Sequence, residues 1–104
     1  MSEAEKEYLK IGRSIKGAEE SQMFGKPCFK VKGKAFMSLF NNCMVFKLHG
    51  DNHADALSLD GAVLFDPSGK GRVMKEWVQL PTAYTAKWPA LAKAAFGYVS
   101  ELKK

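Results

Sequence analysis

The sequence predicts an α+β domain: an antiparallel sheet of about five strands, flanked by N- and C-terminal helices, with one short helix between strands. Three observations predict it. From Cys28 to Leu48 apolar residues recur with a period of two, broken by Gly- and Asn-containing turns. From Trp88 to Leu102 they recur at three and four instead. Between these blocks, turn signals at Asp51-Asn52 and Asp60-Gly61 set off a short helix and two further strands.

Ser2 can cap the first helix, with Glu3 and Glu5 at its positive dipole end. Tyr8, Ile11 and Ile15 form its thin apolar stripe, Gly12 weakens it, and Gly17 is a natural stop. From about Cys28, Phe29 and Val31 alternate with Cys28, Lys30 and Lys32 as a strand. Val31-Lys32-Gly33-Lys34 turns the chain into a second strand from Ala35 to Phe40, and Asn41-Asn42 turns it into a third from Cys43 to Leu48. Asp51 or Asn52 can cap a helix over about His53 to Leu59. Ala62 to Phe65 reads as a strand, Asp66 to Gly71 as a loop, and Val73 to Leu80 as the last strand, ended by Pro81. Trp88, Leu91, Ala92, Ala95, Phe96, Val99 and Leu102 then give the stripe of a helix packed on a sheet. Thr85 or a neighbour is its expected cap, Pro89 suits its first turn, and Lys103-Lys104 its negative end.

At 104 residues the chain fits a single domain spanning 1–104, and 46% hydrophobic with 26% charged residues is ordinary globular usage. A net charge of +5 permits attraction to nucleic acid or acidic partners, though a small excess also serves solubility. No run approaches the roughly 18 apolar residues of a membrane span. The polar start Met1 to Glu7 lacks the apolar core of a signal peptide, and Cys28 and Cys43 show no C-x-x-C spacing. The expectation is a cytoplasmic protein with free, structural thiols.

Met23-Phe24-Gly25, Gly33 to Phe36, Phe46-Lys47-Leu48 and Met74 to Pro81 follow one another in an order and spacing that resembles the TfoX N-terminal domain family of small α+β proteins. The resemblance spans about the whole chain. It implies the same order of helices and strands and a regulatory cast, since the family is named after a regulator of competence for DNA uptake. The namesake carries a further C-terminal domain whose contribution does not transfer. The family offers no catalytic residues to carry over.

Several clusters invite chemistry. His49 and His53, with Asp51 and Asp55, stand at spacings that suit a divalent metal, but no third nitrogen or sulfur ligand is near in sequence. No metal or cofactor is therefore expected. Cys28 or Cys43 could be a nucleophile only with a histidine in contact and a third group to orient it. Strand thiols are more often packed core residues. Ser68, Gly69, Lys70 and Arg72 form a candidate anion-binding turn, yet the phosphate-loop spacing is missing and the turn leads into a strand. A solvated hairpin turn is the favoured reading.

The sheet offers the better candidate. Parity puts Lys30 and Lys47 opposite Phe29 and Phe46, and Lys75 joins them if Trp77 does. Cations beside an aromatic ring can track a nucleic-acid backbone and stack bases. Parity also puts Cys28, Met37, Leu39 and Val45 on that face, too apolar to stay wet, so the first helix, a second copy or a partner protein should cover it. With a short first helix, a homodimer through residues near Cys43 to Lys47 competes evenly with a monomer. The leading functional expectation is a non-catalytic regulatory interaction module. Weak nucleic-acid binding comes second, and an unrecognised enzyme or ligand-binding protein third.

Overall fold

A computed structural model describes residues 3–23, 26–40, 42–66 and 74–102. In chain order these form α1 (Glu3–Ser14), β1 (Glu19–Met23), β2 (Lys26–Val31), β3 (Lys34–Phe40) and β4 (Cys43–Lys47). α2 (Gly50–Leu57), β5 (Val63–Phe65), β6 (Met74–Leu80), a 3₁₀ segment (Thr82–Lys87) and α3 (Trp88–Ser100) follow. One antiparallel sheet of six strands has the order β1-β2-β3-β4-β6-β5. Since β6 runs antiparallel to both β4 and β5, those two strands point the same way, and α2 is the crossover between them.

β1 is the strand that the sequence did not announce. Its residues, Glu19-Glu20-Ser21-Gln22-Met23, carry no apolar alternation because the strand lies at the sheet edge beside β2. Charges along an edge discourage unwanted pairing with another chain. The next connection does follow local rules. Lys32 and Gly33 have φ of 53° and 80°, the two positive values of the tight hairpin that matches strand twist. Asn42, at φ 61°, makes the equivalent adjustment before β4.

All three helices pack on one face. Tyr8, Ile11, Ala56, Trp88, Ala92, Ala95 and Val99 share a core with Phe29, Val31, Met37, Met44, Phe46, Leu48, Val78 and Leu80. Phe96 joins it edge-on to Phe36 at 5.4 Å, so Phe29, Phe46 and Phe96 belong to one core as the parity of their elements requires.

Parity fails in β3. Phe29 pairs with Met37 and Lys30 with Ala35, so Phe36 is an extra residue on β3, a β-bulge. Beyond it the strand's alternation is reversed. Met37 pairs with Phe46 and Leu39 with Met44, which places both beneath the helices rather than on the open face. Phe36 and Met37, adjacent in sequence, are both fully buried.

α1 also differs from expectation in where it lies and what Gly12 does. It packs over β2 on the helix-covered face, with Tyr8 and Phe29 ring centroids 5.1 Å apart. A Cβ on Gly12 would stand 2.2 Å from the Phe29 ring, so this glycine permits the close approach of helix to strand. α2 begins at Gly50, with His49 at its N-cap position and no side-chain cap, earlier than the Asp51 or Asn52 start. Thr85 lies inside the 3₁₀ segment and its hydroxyl donates to the Thr82 carbonyl, while Lys87 occupies the N-cap position of α3. The negative end of α3 is met from elsewhere in the chain. Lys32 Nζ donates to the Ser100 carbonyl at 3.1 Å and Lys34 Nζ to that of Leu102 at 3.2 Å. Lys103-Lys104, expected in that role, lie outside the described residues.

Candidate functional site on the helix-free sheet face

The strand ladder assigns the second face residue by residue, because directly paired residues point to the same side. Lys30 pairs with Ala35, and Lys47 pairs with Trp77. β6 gives no such assignment for Lys75. Met74 packs in one small core with Trp77, three residues on, and the pairing with β5 shifts register between them, so the alternation is broken there. A third cation, Lys26, stands over the Phe40 ring at 5.2 Å. The sequence pattern did not single it out; its parity with Cys28 and Lys30 was the available signal. Glu19, across from Lys30, is the carboxylate that the register puts on this face among the described strand residues.

Beneath these lysines lies a second, smaller core. Val45, Phe65 and Trp77 are buried, with Ala35, Phe40 and Met74 packed around them. Phe65 meets Phe40 at 5.2 Å and Trp77 at 6.3 Å. Trp77 is only 5% exposed, so it has no free ring face for a base. The aromatics beside Lys30 and Lys47 are thus packed rather than free to stack.

The cover that this face was expected to need is also corrected. α1 sits on the other side, and Met37 and Leu39 leave the open face through the bulge. β4 is an interior strand, with β3 on one side and β6 on the other, so Cys43–Lys47 presents no edge. Val63 on edge strand β5, at 50% exposure, is the large apolar residue left open among those described. β4 therefore offers a second copy no edge to pair with.

At one end of the sheet, polar side chains link the two faces. Lys47 Nζ lies 3.9 Å from Glu76 Oε1, and Tyr98 on α3 donates its hydroxyl to Glu76 Oε2. This hydrogen bond to the carboxylate, before burial and charge, pushes the Tyr98 phenol above its ordinary range. His49 stacks on Tyr98 with ring centroids 3.9 Å apart. His53 Nε2 is 2.7 Å from the Lys75 carbonyl oxygen, which can only accept, so that nitrogen carries the proton. The two histidines thus engage different partners. No group of three His, Cys, Asp or Glu side chains stands close enough for a metal among the described residues. Sequence reasoning missed Tyr98 and Glu76, which fall off the apolar stripes and gave no motif.

The thiols are both free. Cys28 on β2 is buried, and burial pushes its pKa up, with Lys30 opposing, the reverse of an activated nucleophile. β3 separates it from Cys43 on β4, two strand spacings or roughly 9–10 Å, beyond the reach of a disulfide. Ser68, Gly69, Lys70 and Arg72 lie outside the described residues. Elsewhere, a groove of about 570 Å³ runs between α2 and the start of α3, lined by Ala56, Leu59 and Leu91 with the exposed Asn52, Asp55 and Lys87. No buried charged group anchors it.

No family model, curated protein or solved structure matches the chain. No helix of the described residues is long and apolar enough to cross a membrane.

Proposed function

We propose that this chain is a small non-catalytic interaction module whose working surface is the helix-free face of its sheet. The observation that carries this is the separation of charge from cover. All three helices pack on one face, while the other presents Lys26, Lys30 and Lys47 against Glu19. Three cations carried on strands of one sheet suit an anionic partner. The regulatory role rests on the resemblance to TfoX N-terminal domains.

The test is elution from immobilised heparin, a generic polyanion. Lys30→Glu combined with Lys47→Glu should elute at clearly lower salt than the parent protein. A control of equal charge change on the helices, Lys10→Glu with Lys93→Glu, should shift much less. Equal shifts from the two pairs would show that net charge alone governs binding and would remove the assigned surface.

A further inference from the structure

Resting on the reading of this face as the working surface, we infer that its partner is a nucleic-acid duplex, held through phosphates alone and without base recognition. Two features point there. The cations are lysines, compact charges on flexible stems that satisfy phosphates without demanding one geometry. The aromatics that could stack a base are withdrawn: Phe65 is fully buried, Trp77 nearly so, and Phe40 is half-buried under Lys26. Proteins that hold single strands offer exposed rings as stacking platforms, worth roughly 1–3 kcal/mol per base. This face offers none among its described residues, so a splayed strand gains nothing that a duplex lacks. A duplex brings the denser row of phosphates.

The ladder also sets the arrangement of the cations. Lys26 and Lys30 lie on β2 and Lys47 on β4, so the charges step across the strands of a twisted sheet. One of them is partly occupied inside the molecule, and a second has a carboxylate across the ladder. Lys47 faces Glu76 across 3.9 Å, and Lys30 has Glu19 on the neighbouring strand. Lys32 and Lys34 belong to the end of α3 and contribute nothing here. Binding is therefore weak, sequence-independent and governed by salt.

Fluorescence anisotropy with a labelled mixed-sequence duplex, a labelled oligo-dT strand and a labelled acidic peptide tests this. Three phosphate contacts predict that duplex binding weakens roughly 40-fold between 50 and 200 mM salt, at about 0.9 in log–log slope per contact. Oligo-dT should bind no more tightly than the duplex. Two unrelated duplex sequences should bind alike. Lys26→Gln and Lys30→Gln should each reduce the slope by about one, and Lys93→Gln on α3 should leave it unchanged. Glu76→Gln, which frees Lys47, should tighten binding. Circular dichroism confirms that each variant is folded. A preference for oligo-dT, a strong preference for one sequence, or binding of the acidic peptide in place of the duplex would each overturn the inference. If heparin elution still depends on Lys30 and Lys47, the assigned surface survives that failure; if it does not, both fall together.

Discussion

At Gly12 two properties of one residue act in opposite directions. In a helix interior glycine costs about 1 kcal/mol relative to alanine, so Gly12→Ala would stabilise an isolated α1. Here the added methyl would meet the Phe29 ring at 2.2 Å, and that ring is 1% exposed with no room to move. Overpacking of this kind costs roughly 1–3 kcal/mol, so Gly12→Ala should lower the urea midpoint. An unchanged or raised midpoint would show that α1 does not press on β2 as described. Tyr8 makes a second prediction at this scale. Burial, then Cys28 and Glu20, push its phenol above the ordinary range, so the native state holds the proton more tightly than the unfolded chain. Stability from such a group is complete below the unfolded tyrosine pKa of about 10 and is lost as pH rises beyond it. Thermal melts should fall above pH 10, and Tyr8→Phe, which keeps the ring against Phe29, should flatten that fall. An identical alkaline slope in the variant would exclude Tyr8 as its source.

Among the elements, α3 shows how much a sequence stripe conveys and where it stops. Trp88, Ala92, Ala95 and Val99 are buried as their spacing of three and four requires, with Phe96 packed at the core margin. Its C-terminal partners were not legible, because Lys32 and Lys34 are 68 positions away from Ser100 and Leu102. Removing both with Lys32→Ala and Lys34→Ala should cost about 0.3–1 kcal/mol each and speed hydrogen exchange near 98–102. Unchanged exchange would mean that the lysines do not hold that end. β1 stayed hidden because an edge strand with charged residues lacks the alternation by which strands are recognised. The bulge at Phe36 stayed hidden for a different reason. Phe36 and Met37 are both apolar, so the sequence accommodates the reversed parity without a polar residue to mark it. Lys30 and Lys47 keep the side that their strand parity gave them. Lys75 has no such assignment, because the alternation of β6 breaks between Met74 and Trp77. The burial of Trp77 was not legible, because it depends on Phe65 arriving from another strand. Phe46, central to the ladder and fully buried, should lose roughly 3–5 kcal/mol when truncated to Ala. A loss within error would contradict its place under the helices.

For the whole molecule, the arrangement follows from where β6 inserts. Lying between β4 and β5, it makes β4 interior and draws α2 onto the same side as α1 and α3. One face is then wholly helix-covered, and the other is closed by its own small core of Val45, Phe65 and Trp77 with lysines above. On the proposed function, this second face, not the helical one, meets the partner. Backbone and lysine-side-chain NMR signals followed during titration with a short mixed-sequence duplex test it most directly. Shifts should concentrate at Lys26, Lys30 and Lys47 and their strand neighbours, and vanish at high salt. Shifts centred on α2 and α3, or no shifts at low salt, would contradict it.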